Sequence, residues 1–567
     1  MTTNWFLYNK RKNFKEIEQK FGITALTSVI LCNREIYDDE EIKKILSEDV
    51  NDLNDASLMP DVDKASDILH TYISKKKSIR IVGDYDIDGV CSTYILYDAI
   101  KRLGANVSYA IPDRISDGYG INNGIIEKAI NDRIDLIITC DNGIAAAEQI
   151  SYAKKKNIEV IVTDHHDISE LPKDAAAIIN PKRKDVENPY PFENICGGVV
   201  AWKFMMRYYE LYEDDKKFII EQYLEFAMLA TIGDIMPLVN ENHIIAKIGL
   251  KKILSTKNQG LKKLLEVTGI DFDKKDITTY HVGFIIGPLI NAAGRMDKAT
   301  LALKLFLSDD ANEIDEIAKL LKDLNDERKT MTENGTKLAI DMIESKYKDD
   351  KVIVIFAEEL KEQVAGIVAG RIKEKYNKPT IILTNTMEND EAKASCRSID
   401  TYDIFEALSV HKEMFSKFGG HRLAAGFSMA KNDIDKLRTL LNSECKLTDD
   451  DFILKIHIDA EFPFYCFDLN LMNELMRLEP YGQSFQTPLF ATKDVKCNIK
   501  NVYGINKNVI KLSLSKDSKE LIAVAFTEFD AIKDRLDKKD LIDIVYKPKI
   551  NEFRGQKSIE INVVEYR

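Results

Sequence analysis

Four short aspartate-containing segments lie within the first 240 residues, and they constrain the fold more than any other feature of the chain. They read Gly83-Asp84-Tyr85-Asp86-Ile87-Asp88-Gly89, Thr139-Cys140-Asp141-Asn142-Gly143, Thr163-Asp164-His165-His166 and Gly233-Asp234-Ile235-Met236-Pro237. The first three follow apolar runs typical of buried parallel strands, and ligands of open α/β sheets bind beyond the carboxyl ends of such strands. Carboxylates that meet there repel one another unless cations bind between them. The sequence therefore predicts a divalent metal centre.

Composition limits the class of protein. A chain of 567 residues is too long for one ordinary core, and 45% hydrophobic with 31% charged residues is typical of soluble globular domains. The N-terminus lacks the basic and apolar regions of a signal peptide, and no apolar stretch is long enough for a membrane helix. Eight scattered cysteines without a Cys-x-x-Cys pair disfavour zinc knuckles and a disulfide framework. We expect a cytoplasmic protein with no membrane partner.

The net charge of −13 disfavours a nucleic-acid partner at first sight. Residues 491–567, however, carry 16 Lys and Arg against 12 Asp and Glu, so the acidic excess lies in the rest of the chain. This asymmetry fits a mildly basic binding module joined to an acidic catalytic body, because metals would neutralise a carboxylate cluster. It fits an ordinary solvated surface equally well.

The order of apolar patterns predicts an α/β protein. Strand and helix patterns alternate from residue 79 to about 200, which indicates right-handed crossovers and a doubly wound parallel sheet. Apolar residues at intervals of three and four through 311–346 indicate one long amphipathic helix, or two joined at Gly335. A second α/β pattern follows, and strand-like runs after about 452 indicate a small β-barrel.

Five segments follow from these patterns. We place a charged helical segment at 1–50, the doubly wound domain at 51–310, the long connecting helix at 311–347, a smaller α/β domain at 348–450 and, at 451–567, a barrel that resembles the OB-like fold of nucleic-acid-binding domains.

The aspartate segments contain the residue types that suit an oxygen-rich metal site. Carboxylates with an imidazole favour Mn²⁺, with Mg²⁺ as the alternative. A calcium loop of the EF-hand type would need Glu at loop position 12, counted with Asp84 as position 1, and that residue is Ile95. His165 stands beside Asp164 at a strand end, where a structural histidine is the weaker interpretation. Asp234 alone could be a helix cap.

The ordered motifs resemble the DHH phosphoesterase superfamily, and within it the bacterial RecJ family. The likeness extends through Pro112-Asp113-Arg114, Gly118-Tyr119-Gly120 and Asn291-Ala292-Ala293-Gly294-Arg295-Met296-Asp297. It continues in Gly366-Ile367-Val368-Ala369-Gly370-Arg371, Ser395-Cys396-Arg397-Ser398 and Gly419-Gly420-His421-Arg422-Leu423-Ala424-Ala425-Gly426-Phe427, which resemble the DHHA1 domain of that family. The resemblance implies that the doubly wound domain is a DHH domain and the smaller one a DHHA1 domain.

The resemblance also implies a role for each residue of the site. The implied metal ligands are Asp84, Asp86, Asp88, Asp141, His165 and Asp234. They would hold two divalent ions, Mn²⁺ in preference to Mg²⁺, with Asp141 as the bridge and Asp84 as a ligand or a neighbour of the ligands. The implied catalytic residues are His166, Asp141 and Asp84, with His166 next to the scissile phosphate. The implied phosphate- and DNA-binding residues are Arg114, Arg295, Arg371, Ser395, Arg397, Gly419, Gly420 and His421.

The function that the resemblance implies is metal-dependent hydrolysis of single-stranded DNA in the 5′ to 3′ direction to 5′-mononucleotides, in DNA repair and recombination. It implies a monomer whose partner is single-stranded DNA, with a single-stranded-DNA-binding protein and a repair helicase as candidate protein partners. Tyr503, Phe526 and Phe553 of the barrel are candidates for base stacking or for the core. Two alternatives stay open, an exonuclease acting on RNA or short oligonucleotides and an inactive replication scaffold. The scaffold is disfavoured because the chain keeps every metal ligand.

One segment departs from the family pattern. Where a Gly-x-Gly-Asn-Pro-like turn is expected after Pro480, the chain reads Tyr481-Gly482-Gln483-Ser484-Phe485-Gln486-Thr487-Pro488. This segment lies far in sequence from the metal motifs. We therefore expect the departure to affect the shape of the last domain and to leave the catalytic interpretation intact.

Overall fold

A computed structural model describes residues 3–10, 14–113, 118, 120–271, 276–296, 300–386, 390–504, 506–538, 541–553 and 555–567. The chain divides into two compact units. The larger unit comprises Trp5–Pro288, Ala302–Ile314 and His457–Arg567. The smaller unit comprises Met1–Asn4, Leu289–Leu301 and Asp315–Ile456.

The helices in chain order are α1 (Phe14–Phe21), α2 (Ala25–Asn33), α3 (Asp39–Leu46), α4 (Val62–Ser74), α5 (Ile87–Arg102), α6 (Asn123–Asn131), α7 (Ala147–Lys155), α8 (Gly197–Tyr212), α9 (Lys216–Gly233), α10 (Asn240–Lys252), α11 (Gln259–Glu266), α12 (Thr279–His281), α13 (Gly287–Met296), α14 (Thr300–Leu307), α15 (Ala311–Met342), α16 (Glu362–Tyr376), α17 (Ile404–Ser409), α18 (Ile434–Glu444), α19 (Leu469–Arg477) and α20 (Phe529–Lys538). Two π-helical turns lie at Val282–Ile286 and Ile343–Tyr347.

The strands are β1 (Thr3–Leu7), β2 (Ser78–Val82), β3 (Asn106–Ala110), β4 (Leu136–Cys140), β5 (Glu159–Thr163), β6 (Ala177–Ile179), β7 (Ile353–Phe356), β8 (Thr380–Asn385), β9 (Glu391–Arg397), β10 (Phe415–His421), β11 (Ala424–Ala430), β12 (Leu454–Ile458), β13 (Ala460–Glu461), β14 (Phe490–Tyr503), β15 (Val509–Lys516), β16 (Lys519–Phe526), β17 (Leu541–Phe553) and β18 (Gln556–Tyr566).

The first sheet of the larger unit confirms the predicted parallel architecture. Its five strands run parallel in the order β3-β2-β4-β5-β6. Helices α6 and α7 bury Ile126 and Ile150 against one face, which presents Ile137. Helix α5 covers the opposite face, where the Thr93 hydroxyl lies 3.5 Å from the Cys140 thiol. Because both faces are covered, the strands are apolar throughout, and their carboxyl ends meet at one edge.

The larger unit also contains the predicted barrel. Strands β14, β15, β16, β18 and β17 follow one another, and pairing of β14 with β17 closes the ring. Alternate residues such as Ile510, Leu512 and Ala523 fill the interior. The sequence patterns did not predict β14. Register shifts between Thr492 and Val495 and between Ile499 and Asn501 interrupt its alternation.

The smaller unit is built on a mixed sheet in the order β10-β11-β9-β8-β7, with β7 and β8 parallel and the other pairs antiparallel. The predicted long helix is confirmed as α15. Gly335 does not divide it. A Cβ at Gly335 would lie 2.3 Å from the Leu360 side chain, so this glycine allows the helix to pack closely against its neighbour.

One detail of the expected N-terminal helical segment needs correction. Residues 3–7 form strand β1, and the helices described within 1–50 are α1, α2 and α3. The segment after Pro480 is far in sequence from the metal motifs but contacts the loop that follows one of them, because the Leu238 amide, four residues after Asp234, donates to the Gln483 carbonyl at 2.8 Å. Distance along the chain was a poor guide to distance in space. The limits of the five segments stay predictions.

Among the described residues, none of the helices combines the length and the apolarity that crossing a bilayer requires.

A buried ion pair joins three parts of the larger unit. Lys203 of α8 and Glu241 of α10 are both fully buried, with 2.9 Å between Nζ and Oε2. Lys203 also donates to the Asn54 carbonyl at 2.7 Å, and the Tyr190 hydroxyl donates to Glu241 at 2.7 Å. Removing one partner would leave the other as a buried charge without a counter-charge, whereas removing both would leave no buried charge.

We expect Lys203→Met to destabilise the larger unit by about 3–5 kcal/mol, because Glu241 loses its counter-charge in a buried site. The double variant Lys203→Met/Glu241→Gln should recover most of this loss. Scanning calorimetry of the two variants and the wild type is the measurement. Equal losses in the single and double variants would show that the charges are not coupled.

Candidate metal centre and anion-binding surface

The first aspartate segment is a turn from strand to helix. Strand β2 ends at Val82, and the Asp86 carboxylate caps α5 by accepting from the amides of Asp88 and Gly89 at 3.0 and 3.1 Å. Asp88 then lies in the first turn of α5, while Asp84 is buried in the connecting loop. The alternation of the three aspartates therefore reflects this turn, which lets their carboxylates converge.

Helix α8 stabilises the charge of Asp88. Its first two amides, those of Gly197 and Gly198, donate to the two oxygens of Asp88 at 2.7 Å each. The positive end of the helix thus faces a buried carboxylate. A Cβ at Gly197 would lie 2.7 Å from that of Asp141, and one at Gly198 would lie 2.6 Å from that of Ala230. Only glycine allows this approach.

Strand β4 delivers Asp141 in an unusual backbone conformation. Its φ of +59° lies in the left-handed region, where a non-glycine residue is uncommon and often functional. This turn directs Oδ1 to within 3.1 Å of the His165 Nε2, which follows β5. The same nitrogen lies 3.5 Å from Asp88 Oδ2 and 3.7 Å from Asp234 Oδ2. Three carboxylates from separate elements thus surround one imidazole.

These separations fit a metal ion. Two ligand atoms each ~2.1 Å from one ion at right angles lie about 3 Å apart, close to the distances around His165. The possible ligand atoms fall into three sets, and within each set they lie within 4.8 Å of one another. The sets are Asp88, His165 and Asp234; Asp84, Asp86 and Asp141; and Asp141, His165 and His166. Asp141 and His165 each belong to two sets. Oxygen-rich sites with imidazole could hold Mn²⁺ or Mg²⁺.

The electrostatics favour the same interpretation. Burial and the charges of Asp88 and Asp86 raise the pKa of Asp141 well above its usual range, and they raise the pKa of Asp234 to about 8. Burial and Asp88 also raise the pKa of Asp86. Burial lowers the pKa of His165, which keeps its ring neutral as metal ligation requires. The carboxylates therefore need positive charge in order to stay ionised together.

Asp164 holds His166 in place. Its Oδ1 accepts from the His166 ring Nδ1 at 2.7 Å and from the His165 amide at 2.7 Å, and its Oδ2 accepts from the Ile144 amide at 2.9 Å. Burial lowers the pKa of His166, but the bond to Asp164 and neighbouring carboxylates more than offset this effect and raise it overall. The His166 ring is half exposed beside the buried cluster.

The smaller unit contains several of the predicted phosphate-binding residues. A Cβ at Gly366 of α16 would lie 3.3 Å from the Arg397 guanidinium and 3.7 Å from the Ser395 hydroxyl. One turn earlier on α16, the Gln363 carbonyl accepts from Arg295 at 3.5 Å. The structure thus gathers Arg295, Ser395 and Arg397 around the first two turns of this helix.

The cross-strand register extends this surface to the glycine-rich strand. Gly419 pairs with Gly426, which pairs with Ser395, and His421 pairs with Ala424, which pairs with Arg397. Directly paired residues share one face, so His421 and Arg397 stand about 10 Å apart on a floor of small side chains. Gly420 has a φ of +149°, and a Cβ there would lie 2.5 Å from the Ala425 Cα.

Arg371 lies further along α16 and is exposed. Its positive charge acts on Arg328 of α15, which the sequence analysis did not single out: burial of Arg328 and the charge of Arg371 lower the pKa of Arg328. The Arg328 guanidinium donates twice to the Asn325 side-chain oxygen, at 3.2 and 2.9 Å. Arg114 lies outside the described residues.

The sequence analysis did not assign three further residues to the site, namely Gly197, Gly198 and Asp164. Asp164 stands within the motif that was singled out and could have been chosen as the partner of a histidine. The glycine pair had no comparable signal, because its role depends on a helix that approaches from more than 100 residues away in sequence.

Comparison with known proteins agrees with this geometry. Family models match the DHH family N-terminal domain at residues 78–231, the DHHA1 domain at 349–447 and the RecJ OB domain at 458–565. The single-stranded-DNA-specific exonuclease RecJ of Bacillus subtilis is 32% identical over 97% of this chain and 69% of its own length. The protein of that name from Haemophilus influenzae is 31% identical over 89% of this chain and 90% of its own.

Solved structures share the fold. The crystal structure of Thermus thermophilus RecJ in complex with Mn²⁺ matches with a TM-score of 0.82 at 24% identity, covering 100% of this chain and 79% of the other. Its complex with Mg²⁺ matches with a TM-score of 0.76 at 23% identity, covering 100% and 78%. The fold and the family models together define a DHH phosphoesterase with a DHHA1 domain and an OB barrel. The chain belongs to the RecJ family of exonucleases.

The glycine pair of α8 makes the metal centre testable. We expect Gly198→Ala to weaken Mn²⁺ binding by about 10- to 100-fold, because the added methyl group displaces the helix amides from Asp88. Isothermal titration with Mn²⁺ is the measurement. Gly370→Ala is the matched control, since a Cβ there would meet nothing within 4 Å. Wild-type affinity in a folded Gly198→Ala protein would contradict a metal centre at Asp88.

Proposed function

We propose that this chain hydrolyses single-stranded DNA from its 5′ end and releases 5′-mononucleotides. The observation that carries the proposal is the arrangement of Asp88, Asp141 and Asp234 around the His165 Nε2, in a chain whose relatives are named single-stranded-DNA-specific exonucleases. The chain retains the whole carboxylate and imidazole set, which favours an active nuclease over a scaffold.

We assign the metal ligands as Asp84, Asp86, Asp88, Asp141, His165 and Asp234. Two sets of ligand atoms share Asp141, which supports two ions with this carboxylate between them. The donor set favours Mn²⁺, with Mg²⁺ as the alternative. Ions bound there would lower the pKa of a water molecule and neutralise charge that develops on the phosphate.

His166 has the position of a group that acts on the phosphate. Asp164 holds its Nδ1, which leaves Nε2 to donate to a phosphate oxygen or to the leaving oxygen. The raised pKa of His166 increases the fraction of molecules in which its ring carries the required proton. Asp164 is therefore a positioning residue, and it also restrains the loop that bears both histidines.

The surface around α16 supports a phosphate-binding role in the smaller unit. Arg295 and Arg397 supply charge, the Ser395 hydroxyl supplies a further donor, and Gly366 leaves space between them. Arginine suits this task because its planar fork donates two hydrogen bonds to one phosphate. We assign this surface to the 5′-terminal phosphate, which would account for polarity. His421, Gly419, Gly420 and Arg371 extend the proposed contact with the strand.

The barrel supports a strand-holding role. Tyr503, Val509 and Phe526 lie side by side across β14, β15 and β16, and Tyr503 and Phe526 are 48% and 71% exposed. Lys511 stands in the next row. Exposed aromatic rings beside lysine are typical of OB-folds that bind single strands. These two rings thus belong to the surface, while the side chain of Phe553 lies outside the described atoms.

The wider setting is proposed on the family relationship alone. We propose a cytoplasmic monomer that acts in DNA repair and recombination, with a single-stranded-DNA-binding protein and a repair helicase as protein partners. The limits of the DHH, DHHA1 and OB segments given above are proposals of the same kind.

A comparison of substrates tests the activity. We expect the wild type to degrade 5′-labelled single-stranded DNA to mononucleotides with Mn²⁺ or Mg²⁺ and to leave duplex DNA intact. With EDTA in place of the metal ion, the single-stranded DNA should also stay intact. Asp141→Asn should reduce the rate by at least about 100-fold, because it removes a shared ligand. Asparagine tolerates the left-handed backbone of Asp141, so the fold should survive. Faster degradation of RNA than of DNA would favour the alternative substrate, and a wild type inactive on every substrate would overturn the proposal.

The terminal-phosphate assignment has a test of its own. We expect Arg397→Ala to lower the preference for 5′-phosphate over 5′-hydroxyl ends by roughly 10- to 150-fold, since a charge-assisted phosphate contact contributes about 1.5–3 kcal/mol. Lys436→Ala is the control, because it removes an exposed positive charge from α18 of the same unit. An unchanged ratio in Arg397→Ala would assign the phosphate to another site.

A further inference from the structure

Two aromatic rings form an exposed stack on the helical run that begins at Thr279. Tyr280 is 61% exposed and Phe284 is 69% exposed, although both are large and partly or wholly apolar. Their ring centroids lie 5.1 Å apart with 24° between the planes. Single exposed apolar residues are common, but two adjacent rings with open faces are a specific surface feature.

The backbone beneath the rings is well anchored. Val282 and Ile286, on the opposite side of the π-helical turn, are fully buried. The Thr279 hydroxyl donates to the Tyr481 carbonyl at 2.8 Å, and Thr278 forms a capping box with His281. The rings are thus held outward on a fixed frame, and little conformational entropy would be lost when a flat ligand covers them.

The same helical run reaches the metal centre. A Cβ at Gly287 would lie 3.5 Å from the Ile87 side chain, and one at Gly233 would lie 2.5 Å from it. Ile87 stands between Asp86 and Asp88, and Asp234 follows Gly233. With a rise of 1.5 Å per residue, Phe284 and Tyr280 lie roughly 5 and 10 Å along the helix from Gly287. The aromatic pair is therefore within reach of the nucleotides next to the metal centre.

We propose that Tyr280 and Phe284 form a stacking platform for bases of single-stranded DNA within about three nucleotides of the scissile phosphate, at a stacked rise of ~3.4 Å per nucleotide. Stacking on an aromatic face suits this position because every base has such a face, so binding tolerates any sequence. In duplex DNA the bases are stacked and paired with one another, so the platform favours a single strand. The inference rests on the proposed exonuclease function.

The test measures binding of oligonucleotides with one abasic residue placed at successive positions from the 5′ end, in EDTA to prevent cleavage. For the wild type, we expect an abasic residue at one or two of the first four or so positions to weaken binding roughly 5- to 150-fold. The double variant Tyr280→Ala/Phe284→Ala should bind the unmodified strand more weakly by a similar factor and lose this position dependence. Tyr280→Phe/Phe284→Tyr should retain it, because the aromatic faces remain.

Tyr465→Ala is the matched control, since Tyr465 is an exposed aromatic residue of the same unit. It should leave the abasic profile unchanged. If the wild type binds and degrades single strands while the alanine pair behaves identically, the stacking inference is overturned and the exonuclease proposal stands. If the alanine pair binds every oligonucleotide more weakly by the same factor, and so keeps the position dependence of the wild type, the rings do not stack on bases near the end. If the wild type neither binds nor degrades single strands, the exonuclease proposal fails first.

Discussion

The mutual repulsion of carboxylates at one edge of the parallel sheet is the constraint on which the rest of this structure depends. The protein itself stabilises two of these carboxylates with hydrogen bonds. Asp88 accepts from the first amides of α8, and Asp164 accepts from His166 and from backbone amides. Asp141 and Asp234 keep raised pKa values, so their full ionisation requires a cation. The fold therefore stabilises part of the charge and leaves a remainder that metal ions could neutralise.

That arrangement needs support from segments far apart in sequence. The Arg34 guanidinium binds both oxygens of Asp459 at 2.5 and 3.1 Å, and Asp459 also accepts from the Leu489 amide, so the N-terminal helices hold the start of the barrel segment. Gln483 of the barrel segment in turn accepts a hydrogen bond from the Leu238 amide with its backbone carbonyl. The larger unit is thus assembled from both ends of the chain, and the loop after Asp234 depends on residues close to the barrel.

The local distribution of charge, rather than the net charge, decides whether an acidic protein can bind an anionic strand. The chain carries −13 overall, yet the smaller unit gathers Arg295 and Arg397 around the first turns of α16, and Arg371 lies near a half-buried Arg328. Part of the negative charge lies in the carboxylate cluster, where cations would offset it. The overall balance therefore says little about the partner, as the excess of basic residues in 491–567 also indicates.

The sequence alone determined the parallel sheet, the long helix and the barrel, and it identified the aspartate segments as a candidate metal site, because apolar period and residue type are local properties. It did not predict β14, whose alternation is interrupted by register shifts, or strand β1 at the N-terminus. Tertiary structure decided which atoms meet. The contact of Gly197 with Asp88, the left-handed turn at Asp141 and the exposure of Tyr280 and Phe284 all depend on how distant helices pack. Packing between distant elements leaves no periodic signal in a sequence, so only the folded chain could show it.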